Sequence, residues 1–198
     1  MKIKDYQLFL ESADSIAICK RYCIENYTIN EDGSIDVDGD VRIYGKRLTK
    51  LPLKFGKVTG YFDCSHNQLT TLEGGPKEVG GVFACSYNQL TSLEGSPKSV
   101  GGYFSCSNNQ LTNLIDGPEV VLGAYYALNN QINSFEGFPD DFEGVVEFIN
   151  NPVQDILDQF PDHLWVKAIH LIIDYDAIWN GEIVPERLEM VKEKLGLL

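Results

Sequence analysis

No run in this 198-residue chain approaches the roughly 20 consecutive apolar residues that span a bilayer. The opening, MKIKDYQLFLES, is broken by charges where a secretory signal needs an uninterrupted apolar stretch. The expectation is therefore a cytoplasmic protein. Cysteine is sparse and odd in number: Cys19, Cys23, Cys64, Cys85 and Cys106 read as reduced thiols, not as a disulfide framework. Cations are in deficit, with 16 Lys and Arg against 29 Asp and Glu, giving a formal net charge of -13. That balance opposes the phosphate neutralisation behind nucleic-acid binding and disfavours an anionic membrane, so neither is expected as a partner.

The chemistry-bearing residues are equally thin. Histidine occurs only as His66, His163 and His170, too few to complete a metal site with Cys19 and Cys23, which are spaced one helical turn apart. The acidic string Asp32, Asp36, Asp38, Asp40 lacks the D-x-[DN]-x-[DN]-G order and distal glutamate of a calcium loop, and is expected to be a hairpin with solvated outward carboxylates. The pairs Gly80-Gly81 and Gly101-Gly102 are not followed by the Lys-Ser/Thr of a phosphate loop. No nucleophile, base and orienting acid come together, so no catalytic residue, metal ligand or cofactor is assigned and the chain is expected not to be an enzyme.

What is present is a repeat with one constant spacing. One column reads Leu48, Leu69, Leu90, Leu111, Ile132, Val153, and another, one helical turn's worth of chain further on, reads Leu51, Leu72, Leu93, Leu114, Phe135, Ile156, so the unit is 21 residues long with no insertion. The same register aligns Asn67, Asn88, Asn109, Asn130 and Asn151, then Pro76, Pro97, Pro118 and Pro139, then the glycines from Gly39 to Gly144. Fixed-period self-similarity of this kind marks a solenoid, because one turn cannot bury its own inward face and needs neighbours on both sides.

Within one unit the buried pair Phe104 and Cys106 alternates with polar neighbours, which predicts a strand with one face inward. The cysteine column Cys64, Cys85, Cys106 continues into Ala127 and Phe148, so it is expected to pack as small apolar core and not to ligate metal. The asparagines sit where the chain leaves the strand, and a ladder of their amides to buried backbone groups is expected. The prolines and the glycine pairs suit an extended, turn-rich return path.

The segment Phe104 to Leu114, F-x-C-S-x-N-x-L-x-x-L, resembles the leucine-rich-repeat core L-x-L-x-x-N-x-L, and in particular the short-period units of bacterial and tailed-phage proteins. The resemblance spans Val37 to Leu157. It implies a leucine-rich-repeat-like solenoid, a parallel β-sheet coil with a mostly non-helical convex side and α-helical caps at both ends. It also implies that outward strand positions form a protein-binding face, for which the register nominates Tyr61, Asp63, His66, Tyr87, Tyr103, Tyr126 and Glu147. Bacterial effectors with similar repeats attach a ligase domain with a catalytic cysteine, but no cysteine follows Cys106.

Three regions follow. Residues 1-36 form an N-terminal cap, with a helix from about Lys2 to Tyr27 whose N-cap is Ser12 or Asp14, then a hairpin turning at Asp32-Gly33. Residues 37-157 form about six turns. Residues 158-198 form a C-terminal cap, helical from Asp162 to Trp179 and again from Pro185, with Gly196 closing the last helix. Charge is polarised along the coil: six cations and no acid lie between Val41 and Phe62, whereas ten acids and no Lys or Arg lie between Ser99 and Val166. The expected function is protein-protein interaction, as an inhibitor or adaptor acting on a partner with a basic patch. The alternative is a structural component of a particle or a homo-oligomer.

Overall fold

The computed structural model describes residues 13-142 and 144-198. Residues 13-21 are helical (α1), so Asp14 lies inside the helix and not at its N-cap; Ser12 and the start of that predicted helix lie outside the described residues. The helix stops well before Tyr27, because Cys23 and Asn26 take left-handed φ values of 54° and 51° and turn the chain into a hairpin. Its strands β1 (Tyr27–Ile29) and β2 (Ile35–Val37) are antiparallel about Gly33, which has φ 78°.

From there each repeat adds two short strands. One series runs β4 (Phe55–Val58), β6 (Glu78–Val79), β8 (Ser99–Val100) and β10 (Val120–Val121). The other runs β3 (Val41–Arg42), β5 (Phe62–Asp63), β7 (Phe83–Ala84), β9 (Phe104–Ser105), β11 (Tyr125–Tyr126) and β12 (Val146–Glu147). The second series is a six-stranded parallel sheet, and the first joins β1 and β2 in another six-stranded sheet, parallel except for β1. Six strands one repeat apart make about five turns of solenoid, one fewer than the repeat columns suggest. The β4-β6-β8-β10 sheet is not anticipated by the sequence reading. It forms because Val58, Val79, Val100 and Val121 point inward at one position per turn, just before the glycine bend.

That bend needs glycine for space. A Cβ on Gly101 would run into the carbonyl of Gly80 one turn below, as one on Gly80 would into that of Thr59. Consecutive turns therefore stack backbone on backbone, with Gly102 N–H donating to Gly81 O at 2.8 Å.

The interior is a set of columns. Phe62, Phe83 and Phe104 stack with ring centroids 5.5 and 5.7 Å apart, near the inter-strand spacing, and Tyr125 follows at 5.0 Å. Leu69, Leu72, Leu90, Leu93, Leu111 and Leu114 are fully buried beside them. So are Cys64, Cys85 and Cys106; Cys64 and Cys85 donate their thiols to the carbonyls of Ala84 and Ser105 at 3.4 Å. Burial pushes all three thiols up from their ordinary range, so they stay protonated.

The asparagine ladder is complete. Asn109 Oδ1 accepts the Leu90 N–H at 3.0 Å, while its Nδ2 donates to Cys85 O at 3.2 Å and Cys106 O at 2.9 Å. Asn67, Asn88, Asn130 and Asn151 repeat the pattern at their own turns.

The acids near the start act as ties to the first turn and are not free carboxylates. Asp36 accepts the Lys57 N–H at 2.7 Å, Asp38 the Thr59 hydroxyl at 2.8 Å and Asp40 the Tyr61 N–H at 3.1 Å. Asp32 pairs with Lys54 at 2.8 Å and accepts from Ser34, and these bonds hold its carboxyl well below the usual range.

At the far end come α2 (Gln154–Leu157), a 3-10 turn (Asp162–Leu164), α3 (Trp165–Asp174) and α4 (Pro185–Lys194). The helix predicted to reach Trp179 stops at Asp174. Ile178–Trp179 (β13) instead pairs antiparallel with Glu182–Ile183 (β14) across Asn180-Gly181, at φ 51° and 78°. Pro185 opens α4 and Gly196, at φ 72°, follows its end as predicted. Among the described residues no helix is long and apolar enough to cross a membrane.

Candidate protein-binding surface

The sheet of β3, β5, β7, β9, β11 and β12 has one face in the core, and its outward side chains come from positions on either side of each buried pair. Asp63, Tyr126 and Glu147 lie on strands; Tyr61 and Tyr103 stand one residue before β5 and β9. His66 and Tyr87 lie beyond the strands, in the turn that leaves them.

Their backbone is unusual. Position by position down that turn, Gly45, His66, Tyr87, Asn108, Asn129 and Asn150 have φ of 64°, 54°, 56°, 57°, 54° and 61°. Four of the six are glycine or asparagine, which tolerate the left-handed region, as histidine does; tyrosine adopts it at a cost. The two rings stack on each other with centroids 4.2 Å apart, and Tyr44 meets His66 edge-on at 5.0 Å. Tyr87 is 51% exposed.

The seven nominated residues do not form one stripe. Tyr61 is half-buried beneath the Arg42 guanidinium, 4.7 Å from its ring, and Arg42 also meets Asp40 at 3.6 Å. Asp63 turns back to accept the Ser65 N–H at 2.9 Å. Tyr103 pairs edge-on with Tyr126 at 5.7 Å. Glu147 stands apart at the last strand. The face thus carries an aromatic cluster of Tyr44, His66 and Tyr87 near the cationic end, and a second pair on the later turns.

No protein-family model, curated protein or solved structure matches this chain. The repeat geometry and the surface are therefore the grounds for a functional reading.

Two features escaped the sequence reading. Tyr44 and Arg42 join the aromatic cluster and, with Lys46, Tyr61 and Asp63, border a shallow cleft of about 420 Å3. Tyr44 carried a signal, since the next three turns place Ser65, Ser86 and Ser107 in its column before Leu128 and Ile149. The other feature is a groove of about 930 Å3 between β12 and the start of α3, where Val145, Glu147 and Ile149 face Trp165, Val166 and Lys167. Nothing local announces it, because it depends on where α3 docks.

Charge is asymmetric in space as well as in sequence. Three of the early cations are neutralised nearby: Arg42 by Asp40, Lys54 by Asp32 and Lys57 by Glu78. Of the later acids, Glu119 pairs with Lys98 at 2.8 Å and is the only one in an ion pair among the described residues. Among the described residues, no group of three or more His, Cys, Asp or Glu is placed to hold a metal ion.

Proposed function

We propose that the chain is a non-catalytic protein-interaction module of leucine-rich-repeat type, akin to the short-period bacterial and tailed-phage units, which binds a cellular or host protein as an inhibitor or adaptor. The observation that carries this reading is the stacked His66-Tyr87 pair. Two adjacent turns place large aromatic rings on a left-handed backbone position where the later turns have asparagine. Exposed aromatic residues on a rigid scaffold, one of them strained, do nothing for the core; their use is contact area offered to a partner with little further loss of entropy. Tyr103 and Tyr126 extend the same face, and the acids beyond them, from Asp140 to Asp162, suit a partner with a basic patch.

The test follows from the strain. His66→Asn and Tyr87→Asn copy the residue the later turns use, so they should leave thermal melting unchanged or raise it while removing the rings. A bait carrying both changes, compared with the unaltered bait in affinity capture from cell lysate, should lose its captured protein at least about tenfold. Reversing Asp140 and Asp141 to lysine should chiefly slow association and flatten its salt dependence. Equal capture by both baits would refute the strand-face reading. A solution mass several times that of the 22.2 kDa chain, abolished by the same asparagine changes, would favour self-assembly as a particle component or homo-oligomer instead.

A further inference from the structure

The C-terminal cap does not close fully over the last repeat. Between the loop that carries Asn133 and Glu136 and the hairpin of β13 and β14 lies a cleft of about 570 Å3. At the hairpin tip the two sides meet, for a Cβ on Gly181 would stand 2.8 Å from Asn133 Nδ2. Elsewhere they stay apart. Ile173, Ile178 and Trp179 supply apolar wall to the opening, and Glu136 and Asp176 supply carboxylates. Among the described residues that line it there is no Lys, Arg or His.

These groups are held in place but not used up by the fold. Trp179 is 61% exposed on a hairpin with two paired positions per strand, so its ring does little for the core. Arg187 donates to the Asp176 carbonyl at 3.1 Å, yet reaches its carboxylate only at 3.9 Å and leaves that side chain 64% exposed. Glu136 is exposed on a fixed loop: its N–H donates to the Ser134 hydroxyl at 3.1 Å, and its carbonyl accepts the Leu114 N–H at 2.9 Å. An indole face attracts a cation, carboxylates pair with one, and isoleucines cover an aliphatic stem. One long basic side chain satisfies all three.

We infer that this cleft receives a lysine side chain of the partner protein, its ammonium beside Glu136, Asp176 and the Trp179 ring and its methylene stem along Ile173 and Ile178. The inference rests on the interaction-module reading and locates one contact for the partner's basic patch, on the cap and away from the His66-Tyr87 cluster. Charge supports it, because the ten acids and no Lys or Arg from Ser99 to Val166 give the surrounding surface the same sign as the cleft.

The probe is N-acetyl-lysine-N-methylamide, titrated into the isotope-labelled full chain and followed by magnetic resonance at the Trp179 indole N–H, the signal that Trp179→Phe removes. It should shift that signal saturably, at least about fivefold more tightly than the norleucine amide, which has the stem without the charge. Glu136→Gln combined with Asp176→Asn should weaken it about fivefold or more. Asp176 has φ 48°, which asparagine tolerates, so this variant should melt as the unaltered chain does. Asp140→Asn combined with Asp141→Asn removes the same charge outside the cleft and should change affinity less than about twofold. Trp179→Ala, followed at the Asn133 side-chain amide, should weaken binding about threefold or more. Tyr87→Asn should bind the probe normally. No saturable shift at the Trp179 indole, equal affinity for the norleucine amide, or undiminished affinity in the Glu136 and Asp176 variant overturns the inference. So does an equal loss in the Asp140 and Asp141 variant, which would reduce the binding to net charge, or a loss in Tyr87→Asn. None of these outcomes touches the strand-face reading, which stands or falls on capture by the bait carrying His66→Asn and Tyr87→Asn.

Discussion

Replacing Asn109 with alanine removes one side chain but several backbone partners. The Leu90 N–H loses its sole acceptor, and a buried donor left bare costs about 1-3 kcal/mol. The two carbonyls fare better, because neighbouring turns share them: Cys85 O keeps Asn88 at 2.9 Å and Cys106 O keeps Asn130 at 3.1 Å. Losing one of two bonds at each adds roughly 0.5-1.5 kcal/mol apiece, so the single change should cost about 2-6 kcal/mol in all. Asn88→Ala should behave alike. The double variant is the informative one, since Cys85 O then loses both of its amide donors and becomes a bare buried carbonyl. Its loss should exceed the sum of the singles by about 1-3 kcal/mol. The pair Asn88 and Asn151 shares no carbonyl, so those two should add within about 0.5 kcal/mol. Urea unfolding followed by far-UV circular dichroism, with equal slopes checked across variants, measures all of this. Additivity of Asn88 and Asn109 would refute the shared-carbonyl account of how successive turns are coupled.

Two further outcomes concern the core. Leu90→Ala or Leu93→Ala should each cost about 2-5 kcal/mol, since both leucines are fully buried in a middle turn, whereas Tyr87→Ala should cost far less; equal losses in denaturant unfolding would mean the register is misplaced. In native protein near pH 8 a maleimide should label the exposed Cys23 but not Cys64, Cys85 or Cys106. The same burial sets a pH dependence. Unfolded thiols release protons near their ordinary value of 9.0 while the folded ones hold theirs, so the folded state binds more protons and stability should fall as pH rises above about 9. A melting temperature flat from pH 8 to 10, or rapid labelling of all five cysteines without denaturant, would contradict this.

How much the one-dimensional pattern reveals differs by residue. The Leu and Asn columns were legible because a solenoid makes each residue contact its own equivalent one turn away, so period in sequence is position in space. The Phe and Cys columns followed from alternation. The opposite sheet was written in the valines at 58, 79, 100 and 121, but a two-residue strand leaves no alternation to read. Asn180-Gly181 announced a hairpin that the helical spacing of Leu164 to Tyr175 obscured.

By itself, then, the sequence determined the period of the repeat, its buried columns, its asparagine ladder and its charge polarity, all of them consequences of neighbour-to-neighbour stacking. The tertiary structure alone decided which outward residues touch: that Tyr61 lies under Arg42, that His66 stacks on Tyr87 from a left-handed turn, and that α3 stops short of β12. Those contacts depend on side-chain direction at the turns and on how a non-repeating cap docks. Neither has a period, so no column of residues records them.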